Sequence, residues 1–319
     1  MTTTVLRTAD HWWVENPATG RALAIQTTAA TTAELLADRA VVDKAAATLP
    51  TVAERETVAV DGLDLVSPVT TPCRVVAQMV NFRSHARDSG FNPDQVPPTF
   101  FRKASHSITG PHATIVRPAH VHLLDYEVEL GLVLGAPLPL GSTVTDADLP
   151  RYVAGLVVTN DVSARDVQLP KGQFYESKSY PTFTPAGPRL VLLEPDEFTH
   201  LDRLRLQLWV NDTLRQDRTV ADMIVRPARA LTLLARFQAL DPGDLLLTGT
   251  PGGTALKAPP KPVEIVANLL PPAVKWKTFF ARQAKNPDYL RPGDVVTATI
   301  ATDDGAVDLG RQRTPVEDR

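Results

Sequence analysis

A mostly antiparallel α+β fold, a sandwich or barrel of short strands, is predicted by three features of this sequence. From Cys73 onward β-rich runs follow one another, among them "RVVAQMVNF", "ATIVRP", "YEVELGLVLG", "YVAGLVVTNDV", "RLVLL", "RLRLQLWVN", "DLLLTGT" and "DVVTATIA", separated by Pro, Gly, Asn or Asp. One clear helix, "RPARALTLLARFQAL", interrupts them, amphipathic and stopped before "DPGD"; a doubly wound sheet would need a helix between successive strands. The 28 prolines recur at segment ends such as Pro50, Pro68, Pro72, Pro118 and Pro150, which punctuates the chain into short strands and turns.

Taken in order, residues 1–70 read as a small N-terminal unit and residues 71–319 as the main domain. "HWWVEN" and "RALAIQ" flank "PATG" as the arms of a hairpin. "TTAELLADRAVVDKAA" opens with Thr31 and Glu34 at capping-box spacing and continues with apolar positions at helical spacing. "DLVSPVTTPC" is proline-punctuated and reads as a linker near residues 65–72. "LDPGDLL" and "LRPGDVV" resemble each other, but a tight turn before a strand explains both without a repeat. Residues 255–289 form a proline-rich insertion with a helix expected at "WKTFFARQAKN".

The bulk properties exclude several classes. A net charge of −3 and a pI near 6.2 argue against nucleic acid or an anionic membrane as the main partner. The single cysteine, Cys73, excludes an intrachain disulfide and fits a reducing compartment. No long uncharged apolar run suggests a membrane span, and residues 1–30 show no secretory pattern. A cytoplasmic protein is expected.

The chemistry begins at "LLDYEVELGLVLG", where Asp125, Glu127 and Glu129 stand two residues apart. On a strand they share one face. A wet strand face would explain them; so would a site for Mg²⁺, Ca²⁺ or Mn²⁺, because a hard cation removes the repulsion between carboxylates. Such a site needs a further ligand. Asp161, at the end of the apolar run "GLVVTNDVSARDVQ", is one candidate and Asp166 a competitor. In "NFRSHARDSG", His85 and Asp88 lie three apart, so a helical turn would let the carboxylate orient the imidazole as a general base; a surface histidine is the plain alternative. Lys178 sits in the polar loop "PKGQFYESKSYPTFTPAGP", and Lys171 there is the more ordinary solvated lysine. "TGTPGGT" follows a strand like an anion-cradling turn of backbone amides. It lacks a P-loop lysine, and no G-x-G-x-x-G occurs, so neither ATP nor NAD is indicated.

Together, "LDYEVELGLVLG", "GLVVTNDVSARDVQ", "KSYPTFTPAGP", "RTVADMI", "LDPGDLLLTGTPGGT" and "LRPGDVV" resemble the fumarylacetoacetate hydrolase family over about residues 73–319. The resemblance implies a mixed β-sandwich roll, barrel-like, with peripheral helices beside the small N-terminal α/β unit. It also implies a homodimer and a Mg²⁺ or Mn²⁺ site held by Glu127, Glu129 and Asp161. His85, Asp88 and Lys178 would be catalytic, and Arg83, Gln168 and Thr250 would bind substrate. The implied activity is metal-dependent hydrolysis of a carbon–carbon bond in an acylpyruvate-like 2-oxo acid or 1,3-diketone in carbon catabolism. Decarboxylation or tautomerisation of a 2-oxo or 2-hydroxy-dienoate acid is the nearest alternative, and a non-catalytic binding protein a more distant one. Asp88 stands where many members carry Glu, Phe82 where Tyr is usual, and His106 where a small or apolar residue is common.

Overall fold

The computed structural model describes residues 2–258 and 271–319, so part of the expected insertion, residues 259–270, lies outside the described residues. Its strands begin with β1 (Thr3–Arg7), β2 (Trp12–Asn16), β3 (Arg21–Ala24), β4 (Val58–Ala59), β5 (Val75–Met79) and β6 (Thr99–Lys103). They continue with β7 (Ile108–Thr109), β8 (Ile115–Arg117), β9 (Leu124–Asp125), β10 (Val128–Leu134), β11 (Val153–Asn160) and β12 (Ser163–Ala164). The last are β13 (Thr184–Pro185), β14 (Leu190–Leu192), β15 (Leu204–Val210), β16 (Thr213–Thr219), β17 (Leu245–Leu247), β18 (Val295–Thr302) and β19 (Asp308–Asp318).

Among the described residues, ten strands form one open sheet in the order β4-β3-β2-β1-β14-β11-β10-β17-β5-β6, and five form a second in the order β16-β15-β18-β19-β8. Most pairings are antiparallel, with parallel exceptions at β17–β5, β19–β8 and the separate two-stranded β13–β7. The predicted hairpin is β2–β3. The N-terminal unit does not keep a sheet to itself: β1 pairs with β14 (Thr4 opposite Val191), so residues 1–70 extend the main sheet.

Both faces of the long sheet are covered, which explains why β10 (VELGLVL) is buried at every position. Successive side chains of a strand point to opposite faces. Leu130, Leu132 and Leu134 join the large core shared with Leu206, Leu208, Ala298 and Ile300 of the five-stranded sheet. Val133 joins a second core with Leu35, Val42 and Ala45, which belong to the helices α1 (Thr32–Ala37) and α2 (Arg39–Thr48). The layers are therefore sheet, sheet and helix pair.

The Thr31–Glu34 capping box is present in full: Thr31 Oγ1 accepts from the Glu34 N–H and the Glu34 carboxylate accepts from the Thr31 N–H. Thr31→Ala is expected to lower stability by about 1 kcal/mol, read as an unchanged m-value with a lower urea midpoint. Further along come α3 (Arg83–Asp88), α4 (Leu149–Tyr152), α5 (Arg165–Lys171) and α6 (Pro227–Leu234). The last is shorter than the amphipathic run suggested. A helix at Pro272–Gln283 carries the expected "WKTFFARQ". No helix among the described residues is long and apolar enough to cross a membrane.

Candidate active site

The site forms where β10 and β11 meet at their site-side ends. The Asp161 N–H donates to the Glu127 carbonyl (2.8 Å), and the Glu127 N–H donates to Asn160 Oδ1 (2.9 Å). This backbone junction sets Asp161 beside the acidic strand. Glu127, Glu129 and Asp161 are all buried, and one oxygen from each lies within 4.8 Å of the others. Asp166 is not part of this group: its carboxylate accepts from the His122 N–H at 2.7 Å.

Three cations from different elements meet these carboxylates. Lys178 Nζ bonds Asp161 Oδ2 (2.5 Å) and Glu127 Oε2 (2.8 Å). Lys103, the last residue of β6, donates to Asp161 Oδ1 and to the Phe183 carbonyl (2.9 Å). Arg165, the first residue of α5, donates to Glu127 Oε1, to Asp125 Oδ2 (2.8 Å) and to Gln168 Oε1 (2.9 Å). Lys103 and Arg165 were not singled out from sequence. Their signals are faint: strand periodicity puts Lys103 on the inward face with Phe101, and Arg165 shares a helix face with Gln168.

The electrostatics follow from burial and these pairings. Burial alone would raise the Glu127 carboxyl, but Lys178 and Arg165 outweigh it and hold the group well below the usual carboxylate range. Glu129 goes the other way, raised by burial and by the neighbouring Asp161 and Glu127. Burial would discharge Lys178, yet Asp161 and Glu127 keep its ammonium charged. Asp125, Glu127 and Asp161 each meet a basic group from Arg165, Lys178 or Lys103, while Glu129 has no ion pair among the described residues and accepts from the Gly249 N–H. Three converging carboxyl groups, of which Glu129 has no ion-pair partner of its own among the described residues, fit a divalent cation.

Asp125 has a structural task. Its carboxylate accepts from Arg165 and from the N–H groups of Tyr126, Ala255 and Leu256, which pins residues 255–256 to the acidic strand. The three glycine amides of "TGTPGGT" are likewise satisfied by the protein itself. Gly249 N–H donates to Glu129 (2.6 Å), Gly252 N–H to Ser84 (3.0 Å) and Gly253 N–H to Asp88 (2.9 Å). Gly253 needs its missing side chain: φ is +103°, and a Cβ would lie 2.0 Å from the Arg215 carbonyl oxygen. Thr250 donates to the Val128 carbonyl (3.0 Å) and accepts from Gln216 (2.8 Å).

A cavity of about 930 Å³ opens onto these groups. His85, Glu127, Glu129, Arg165, Gln168, Lys178 and Thr250 line it. His85 is 8 % exposed, and its Nδ1 has no hydrogen-bond partner. Burial lowers its pKa, so the imidazole is neutral near pH 7. Two expected contacts are not made. Asp88 does not orient His85; its carboxylate serves the Gly253 N–H instead. Arg83 does not line the cavity; it pairs with Asp94 (2.8 Å) at the surface.

Residues 74–317 match the family model for the fumarylacetoacetate (FAA) hydrolase C-terminal region. The chain belongs to the fumarylacetoacetate hydrolase family. It is 35% identical over 198 residues to "Oxaloacetate tautomerase Fahd2a, mitochondrial" of Rattus norvegicus, covering 61% of each chain. It thus spans about three fifths of the length of that curated relative. A crystal structure of a probable 2-hydroxyhepta-2,4-diene-1,7-dioate isomerase from Mycobacterium abscessus superimposes with a TM-score of 0.71 at 29% identity, covering 100% of this chain and 99% of that one. A fumarylacetoacetate hydrolase from Exiguobacterium antarcticum gives a TM-score of 0.73 at 25% identity, covering 100% of both chains.

Proposed function

We propose that this protein catalyses metal-dependent enolate chemistry on a 2-oxo acid, with keto–enol tautomerisation as the reaction. The observation that carries this reading is His85: a buried, neutral imidazole with an unpartnered Nδ1, in one cavity with the carboxylate triad and Lys178. Moving a proton between carbon and oxygen needs such a base and a stabilised enolate. It needs no carboxylate-oriented activation of water, and Asp88 is engaged elsewhere. The similarity to proteins named as an oxaloacetate tautomerase and a dienedioate isomerase supports the same reading.

Glu127, Glu129 and Asp161 would hold Mg²⁺ or Mn²⁺, and that cation supplies Lewis acidity toward the carbonyl and carboxylate oxygens of the substrate. Around it the chain's own residues divide the remaining work. Arg165 and Lys178, both kept charged by buried carboxylates, are fixed positive groups rather than bases, and they favour negative charge developing on the substrate. His85 takes the proton from the carbon next to the carbonyl as the C–C bond gains double-bond character, and the resulting imidazolium gives that proton up to the enolate oxygen, directly or through solvent, which restores the neutral base. Gln168, whose Oε1 is occupied by Arg165, presents its amide to the cavity as a donor.

Carbon–carbon hydrolysis of an acylpyruvate is the second reading, favoured by a cavity with room for an acyl group and water. One pair of assays tests both. Enol-to-keto conversion of oxaloacetate is expected to fall to background with EDTA and to return with Mg²⁺ or Mn²⁺. Metal-independent conversion would sink the proposal. Release of a carboxylic acid from acetylpyruvate faster than oxaloacetate tautomerises would make hydrolysis the reaction instead.

A further inference from the structure

We propose that the outer part of the cavity is a subsite for an aryl or similarly flat apolar substituent on the substrate, with Trp276 and Phe279 as its specificity determinants. The proposal rests on the reading that the inner end accepts a 2-oxo acid, and it adds the class of tail that acid carries.

Size is the first observation. At about 930 Å³ the cavity stands at the upper end of the roughly 300–1,000 Å³ of small-molecule pockets. A four-carbon dicarboxylate at the acidic end leaves most of it unfilled. The second observation is how the helix Pro272–Gln283 is seated. Trp276, Phe279 and Phe280 follow the three- and four-residue spacing that puts side chains on neighbouring positions of a helix. Phe280 packs against the main core, stacked on Trp276 with centroids 5.6 Å apart, and so anchors the helix. Trp276 and Phe279 meet edge-to-face at 5.9 Å and turn their remaining surface to the cavity rather than into the core. Among the described residues these two large rings are half-buried and face the cavity, a surface suited to an apolar partner.

Aromatic lining also reaches the chemical centre. Phe101 and Phe174 meet edge-to-face at 5.2 Å, and Lys178 Nζ lies 5.2 Å from the Phe101 ring centroid. An aromatic wall therefore runs from the ammonium that pairs with Asp161 and Glu127 outward to the helix, where Lys257, Arg282 and Lys285 share the lining with Trp276 and Phe279. A ring attached one or two bonds from the 2-oxo acid would lie against it directly.

The test uses the full chain with Mg²⁺ and two unsubstituted probes, phenylpyruvate and pyruvate, titrated by calorimetry. The expected result is that phenylpyruvate binds about tenfold more tightly or better, the gain from burying one ring among apolar and aromatic neighbours. In the double variant Trp276→Ala, Phe279→Ala the preference is expected to fall to about threefold or less, while Trp276→Phe, which keeps a ring there, retains it. Equal affinities in the wild type, or an undiminished preference in the double variant, overturn the subsite. Tautomerisation of both acids is followed in the same preparations. Binding preference without turnover would refute the tautomerase reading and leave the subsite standing; turnover of both acids without any preference would do the reverse.

Discussion

His85→Asn is expected to lower kcat for keto–enol conversion by about 10²- to 10⁴-fold, the usual contribution of a positioned acid–base group. Asparagine keeps a polar side chain of similar reach but cannot accept and return a proton near neutral pH. Because His85 bonds none of the three metal-site carboxylates through a hydrogen bond or ion pair, Mg²⁺ affinity measured by calorimetry should change little. A variant within threefold of wild type (about 0.7 kcal/mol) would remove His85 from the chemistry. The pH profile gives an independent check. Burial holds the His85 pKa below its ordinary value of about 6.5, so the wild-type acid limb should fall below that pH and vanish from the residual rate of the variant. The same depression has a sign in stability. The unfolded chain binds a proton more readily than the folded one, so this contribution is present above about pH 6.5 and is lost as pH falls through the folded pKa.

Arg165→Met should cost about 3–5 kcal/mol of stability, because removing one partner of a buried ion pair strands the other charge. Here Asp125 loses its only ion-pair partner among the described residues, Glu127 keeps Lys178 alone, and Gln168 loses the guanidinium that holds it. The loss of Asp125's partner should spread to residues 255–256, whose amides that carboxylate binds. Arg165→Lys is not expected to rescue the protein, as one ammonium cannot span three acceptors that a planar fork reaches together. Urea unfolding at pH 7 measures the effect. A midpoint shift equivalent to less than about 1 kcal/mol would show that these pairs add little beyond the hydrophobic core.

Much of this organisation was legible in the residues. Strand runs bounded by turn formers mark real strands, and Thr31 with Glu34 forms the capping box that their spacing implies. Glu127 and Glu129, one just before and one on β10, could be read because carboxylates in an otherwise apolar run conflict with burial unless something answers them. What answers them was not legible. Lys103 and Arg165 are single basic residues, alike in sequence to the solvated ones, and only long-range packing brings them to the carboxylates. Arg83 lies off the cavity for a geometric reason: it is two residues from His85 in α3, and positions two apart on a helix face away from one another. The pairing of β1 with β14 spans most of the chain length, so no local pattern announces that the N-terminal unit shares the main sheet.

Asp88 gives the site a choice of allegiance. It closes the six-residue helix that carries His85, and its carboxylate holds the Gly253 amide of the turn that also carries Thr250. Helix and turn are thereby latched together. Turning Asp88 Oδ2 to the imidazole, as water activation through that oxygen would ask, would unlatch them and leave the Gly253 amide without its acceptor. Any hydrolytic activity then comes with a conformational tax, its apparent affinity reduced by the fraction of molecules with the latch open. On the proposed tautomerase reading, proton shuttling by His85 leaves the latch closed.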